Sequence, residues 1–147
     1  MAFVVIQHLD PKQSGMLPEQ LQRFTKMQVK LAEDGMKIGP NTIFVIPPNK
    51  DMSIIHGKLL LLEQTAQKGV RTPIDLFFRH LFDDQGERAI GIILSGMGTD
   101  GTLGVKAIKE KLGMVMVQDI ASAKFRNAAK RNFYWCCRLH CASERVA

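Results

Sequence analysis

The chain sets a carboxylate inside a glycine-rich turn, Ser95-Gly96-Met97-Gly98-Thr99-Asp100-Gly101, directly after the apolar run Ala89 to Leu94. Such a turn closes a strand and opens a helix. Its glycines admit positive φ and close approach, and the new helix presents free N–H groups. Open α/β sheets place their ligands at this carboxyl end of the strands. A second apolar run, Phe3 to Ile6, leads into Gln7-His8, so two parallel neighbouring strands would bring His8 and Asp100 to one sheet edge. In a histidine–aspartate pair the carboxylate accepts the Nδ1 proton and fixes the tautomer. It also stabilises the imidazolium that forms when Nε2 takes a proton from a nucleophile.

Plainer roles compete with this one. Asp100 could simply cap the helix that follows it. His56 in a hairpin turn, His80 on a helix and His140 near the end read as structural or surface residues. His8 and Asp10 lack the further clustered ligands that a metal needs. Gly96-x-Gly98-x-x-Gly101 formally matches the dinucleotide fingerprint, with Asp119 where a ribose-binding acid would stand. A carboxylate inside a pyrophosphate loop repels its ligand, which ranks that reading second. Hydrolysis also needs an attacking group. Ser14, Ser53, Ser95, Ser122 and Ser143 include no strand-to-helix elbow of the G-x-S-x-G kind.

The elements that must position these residues follow from hydrophobic period and turn chemistry. Leu17, Leu21 and Phe24 predict an amphipathic helix over Met16 to Lys26. Strands are expected at Val29 to Ala32 and, between Gly39-Pro40-Asn41 and Pro47-Pro48-Asn49, at Thr42 to Ile46. Met52 to Ile55 and Lys58 to Leu62, joined by His56-Gly57, read as a hairpin. Pro73 opens a helix with Ile74, Phe77, Phe78, Leu81 and Phe82 on one face, ending near Gly86. Ala89 to Leu94 reads as a strand covered on both faces, followed by a helix that stops at Gly113 and a further buried strand, Met114 to Val117. The expectation is an α/β domain: a doubly wound, mostly parallel, Rossmann-like three-layer sheet with a hairpin appendage.

A chain of 147 residues fits one such domain, and no apolar run approaches a membrane span. Met1 to Ile6 is too short for a signal peptide, so the expected location is the cytoplasm. The net charge of +6 does not point to nucleic acid. Of the 20 basic residues five lie in 126–147 against one of the 14 acidic residues, which leaves 1–125 nearly neutral. A nucleic-acid surface needs its basic face on the folded body. The same tail holds all three cysteines.

Taken together the motifs resemble the catalytic domain of the CheB chemotaxis protein-glutamate methylesterases. Val4 to Leu9 is similar to the family's histidine strand, Gly39 to Pro48 to its central strand, and Leu94 to Gly101 to its aspartate loop. Pro73 to Phe78 and Val117-Gln118-Asp119 also fit, so the resemblance covers residues 3 to about 125. The wording around Gly101 to Gly104 and Ala121 to Phe125 is similar to the form fused to a receptor methyltransferase. The resemblance implies hydrolysis of glutamate methyl esters on the cytoplasmic tails of chemoreceptors, with methanol released by a Ser-His-Asp triad and no cofactor. By position His8 would be the general base, Asp100 its orienting carboxylate and the Met97 N–H an oxyanion donor. Fused methyltransferase or receiver domains, and with them two-component phosphorelay control, are expected companions.

The chain departs from the family twice. The family opens with a strand, a G-x-S-T-G-G nucleophile turn and a helix before its histidine strand. This chain begins at the histidine strand, so its nucleophile is expected to be absent and the chain inactive, a non-catalytic interaction remnant being the alternative. After Phe125 the family pattern stops, and 126–147 is read as a frameshifted tail. One base later its codons can spell G-T-P-Q-S-G-I-F-I-G-V-V-A-C-I-A-P-P-S-E-L-P, similar to the family's end. Sequencing the gene checks both: an in-frame G-x-S-T-G-G upstream of Met1 and that alternative translation are expected, and an intact frame lacking the latter sinks the frameshift.

Overall fold

In the computed structural model the residues described are 1–7, 16–64, 72–95, 100–110, 113–118 and 134–139. Among these residues eight strands and three α-helices run in chain order. They are β1 (Ala2–Gln7), α1 (Leu17–Gln22), β2 (Gln28–Leu31), β3 (Thr42–Val45), β4 (Lys50–Ile55), β5 (Lys58–Glu63), α2 (Pro73–Gln85), β6 (Ala89–Ser95), α3 (Thr102–Glu110), β7 (Met114–Val117) and β8 (Tyr134–Leu139). A 3₁₀ turn at Gly86–Arg88 links α2 to β6. Six strands form one sheet in the order β2-β3-β1-β8-β6-β7, and β4-β5 pair separately as the expected hairpin. All pairings in the large sheet are parallel except those of β8, which runs antiparallel to both β1 and β6.

Turn chemistry explains where the strands stop. Asn41 and Asn49 take φ of 56° and 58°, the left-handed region that asparagine tolerates. In the hairpin both turn residues, His56 at 50° and Gly57 at 69°, have positive φ, as a two-residue turn matching strand twist requires. The Asp84 carboxylate accepts the Gly57 N–H at 3.0 Å and ties this turn to the end of α2. Gly86, with φ 54°, ends α2.

The main apolar cluster lies on one face of the sheet, and Val5 and Val45 are buried on the other. Ala2, Val4 and Ile6 of β1, Phe44 of β3 and Ala89 of β6 pack with Met52, Ile54 and Leu59 of the hairpin. Ile74, Phe77, Phe78, Leu81 and Phe82 of α2 and Ile108 of α3 complete the cluster. Close approach of α3 to α2 depends on Gly104, where a Cβ would stand 2.6 Å from the Phe78 Cβ. Overpacking of that kind costs about 1–3 kcal/mol.

Three elements differ from expectation. α1 is only six residues, buries none of them, and leaves Phe24 exposed. The Gln22 side chain ends it by donating to the Thr25 and Met27 carbonyls and accepting the Val29 N–H. β6 is covered on one face only: Ala89 and Gly91 are buried, Ile90 and Ile92 half-buried and Leu94 exposed. β7 is an exposed edge rather than a buried strand, because among the described residues β6 is its sole sheet neighbour, and Met114, Met116 and Val117 all lie open.

β8 comes from the basic tail and fills the middle of the sheet. Val4 and Val5 pair with Cys137 and Cys136 on one side, and Gly91 and Ile92 pair with the same two residues on the other. Without it β1 and β6 would each present an unpaired edge. Trp135, the chain's single tryptophan, pairs with Ile6 and Ile93. The backbone amides of β8 should therefore lose hydrogen-exchange protection at the same urea midpoint as those of β1 and β6; earlier loss in β8 would show the tail leaving a sheet that survives it.

Candidate active site

β1 and β6 run parallel and end level, because Tyr134 at the start of β8 pairs with Gln7 on one side and Ser95 on the other. The chain leaves both strands at the same carboxyl edge, as the sequence leads one to expect. The two strands are not neighbours, however. With β8 between them their backbones stand about 9–10 Å apart, twice the usual strand spacing. His8, Met97 and Asp119 lie outside the described residues. Gln7 is 8% exposed, and its side-chain oxygen has no hydrogen-bond partner among the described residues, a buried acceptor at this edge.

Asp100 stands two residues before α3, yet its carboxylate serves α2. Oδ2 accepts the Ile74 N–H at 3.2 Å and Oδ1 the Asp75 N–H at 3.0 Å. These are orphan donors of the first turn of α2, whose N-cap Thr72 makes no side-chain capping bond. The expected capping role is thus real but belongs to the helix 25 residues upstream in sequence. A carboxylate offers about four acceptor positions, so these two bonds leave lone pairs for further donors.

The exchange is reciprocal. Asp75, 3% exposed, accepts the Gly104 N–H on its Oδ1 at 2.7 Å, which caps the first turn of α3. Gly101 opens that helix with φ 92°, a conformation favouring glycine, and its carbonyl accepts the Val105 N–H at 2.9 Å. Each helix start is held by an acid from the other, and negative charge is favourable at both helix N-termini. Sequence reasoning missed Asp75. Its signal was an acid in the first turn behind Pro73, but nothing local says that its partner lies 29 residues away.

This arrangement bears on the rival chemistries. The Gly104 N–H that would face a phosphate is held by Asp75, which weakens the dinucleotide reading. Among the described residues no group of three or more His, Cys, Asp or Glu could hold a metal ion. Ser53 and His80 do form a pair, Oγ to Nδ1 at 2.8 Å. Ser53 is 3% exposed beneath α2, so the contact fastens the hairpin to the helix, consistent with the structural reading of His80.

A mostly parallel α/β sheet with an acid loop at its carboxyl edge places the chain in the mixed α/β class whose sites form at strand ends. The family model for CheB methylesterase matches residues 1–136, and the chain belongs to that family. The crystal structure of the Thermotoga maritima CheB methylesterase catalytic domain superposes with a TM-score of 0.65 at 28% identity, covering 76% of this chain and 61% of that one. A protein-glutamate methylesterase/protein-glutamine glutaminase of Moorella thermoacetica is 31% identical over 82% of this chain and 30% of its own length. An uncharacterized 104.1 kDa protein of Rhodobacter capsulatus is 39% identical over 71% of this chain and 11% of its length. The chain therefore spans about a third or less of these two curated relatives. Among its described residues no helix is long and apolar enough to cross a membrane.

Removing the Asp100 carboxylate orphans two helix-start N–H groups. Asp100→Ala should lower stability by about 1–3 kcal/mol and Asp100→Asn by less, read as a lower urea midpoint at unchanged slope.

Proposed function

We propose that the chain carries the histidine–aspartate part of a site that hydrolyses glutamate methyl esters on the cytoplasmic tails of methylated chemoreceptors. The observation that supports this reading best is the level ending of β1 and β6 at one edge, with Asp100 anchored there by two backbone donors. His8, one residue past β1, would take the proton from an attacking serine hydroxyl on Nε2 while Asp100 holds its Nδ1–H. The Met97 N–H would donate to the oxyanion of the tetrahedral intermediate. Collapse expels methanol, which takes the proton back from the imidazolium, and water then attacks the acyl-enzyme with the same base. Hydrolysis of a glutamine amide, the glutaminase activity in the Moorella relative's name, would take the same steps with ammonia leaving. Acyl transfer of this kind needs no cofactor.

No serine of this chain stands on a nucleophile elbow, so by itself it turns over little or no ester. Its setting in this reading is the cytoplasm, beside fused methyltransferase or receiver domains and under phosphorelay control, without binding nucleic acid or inserting into a membrane. A second reading, a non-catalytic interaction module, draws support from β8, which separates the histidine and aspartate strands.

Methanol release from a methylated receptor peptide distinguishes them. The chain alone should match the uncatalysed rate, and turnover abolished by His8→Ala would reveal a nucleophile within it. A chain extended at its start by a strand ending in G-x-S-T-G-G should gain hydrolysis and lose at least about 10³-fold of it with His8→Ala or Asp100→Ala. An extended chain that folds and binds the peptide without turnover would favour the interaction module.

A further inference from the structure

We infer that Asp75 is the positioning residue for Asp100, acting through the junction of the two helix starts rather than by touching substrate; the inference rests on the histidine–aspartate reading above. Asp75 meets the Asp100 segment twice. Its backbone N–H donates to Asp100 Oδ1 at 3.0 Å, and its own Oδ1 accepts the Gly104 N–H at 2.7 Å. The first bond sets the carboxylate's direction, and the second holds the first turn of α3 at Gly104, four residues after Asp100. Gly101, whose φ of 92° makes it the conformationally permissive link, lies between the two anchor points. A loop with a glycine pivot holds an aspartate in one orientation only if both sides of the pivot are tied.

The burial of Asp75 agrees with this role. At 3% exposure it is bonded to the start of α3 at Gly104, which itself lies against the Phe78 side chain. A carboxylate that deep is costly unless its acceptors are used, and the Gly104 N–H uses one at short distance. Breaking that bond frees the start of α3 and, through Gly101, the plane of the Asp100 carboxylate. A histidine hydrogen bond depends steeply on that angle.

The test reads the His8 imidazole by NMR titration. An adjacent aligned carboxylate favours the imidazolium, so Asp100→Asn should lower the His8 midpoint by about one pH unit. Asp75→Ala should reproduce at least half of that drop, and Asp75→Asn should lie closer to the native chain. Both Asp75 variants remove the same charge, whereas only Asn retains an acceptor for the Gly104 N–H, so their difference reports geometry. A His8 midpoint equal in Asp75→Ala and Asp75→Asn, with Asp100→Asn lowered, overturns the positioning role alone. A midpoint unmoved by Asp100→Asn overturns the histidine–aspartate pairing and the inference with it. Should Asp75→Ala fail to fold, the native chain carries the test: the Gly104 amide should show a scalar coupling across its hydrogen bond to the Asp75 carboxylate carbon, and no such coupling removes the contact on which the inference stands.

Discussion

The exchange of carboxylates between the first turns of α2 and α3 is the constraint on which the site-bearing part of the structure depends. Two helix N-termini brought together would repel each other through their like partial charges. Here each receives an acid from the opposite side: Asp100 at Ile74 and Asp75, and Asp75 at Gly104. The result is that the loop after β6 is fastened to a helix that starts more than twenty residues earlier. The place of Asp100 is therefore set by contacts with a helix distant in sequence.

That junction requires the helices to be close, and small residues make it so. Gly104 lets α3 settle on Phe78, and Gly91 in β6 leaves room for Ile108 and the same ring. Phe78 is fully buried at the meeting point of α2, α3 and β6. Packing and polar capping thus support one another. The glycines allow the approach that makes a 2.7 Å bond possible, and the bond fixes the approach.

The central sheet raises a different issue. In a parallel set, β1 and β6 present complementary edges toward each other, and the gap between them is filled by a strand from the last part of the chain, running the opposite way. Backbone pairing asks only for an extended segment with donors and acceptors in step. Tyr134–Leu139 meets that demand along the whole of Ala2–Gln7 on one side and from Ala89 to Ser95 on the other. A strand in this position satisfies the ladders of its neighbours, and it also keeps the histidine and aspartate strands two spacings apart.

Much of the fold was legible in the sequence because its signals are local. Asn and Gly at the turns, Pro73 at a helix start and the one-sided stripe of α2 each depend on a few residues. The elements they mark fall within a residue or two of expectation. The short α1 and the exposed β7 were not legible. Helical spacing says which side would be buried but not whether anything covers it, and an apolar run does not reveal that its strand is the last in the sheet. The acid loop could be proposed as a site from its glycines and its position after β6, while family membership was legible from the motifs in order. What only the tertiary structure decided was which helix Asp100 caps, that Asp75 returns the contact, and that β8 stands between the two strands. Those facts join residues 25 or more positions apart, and no local propensity encodes them.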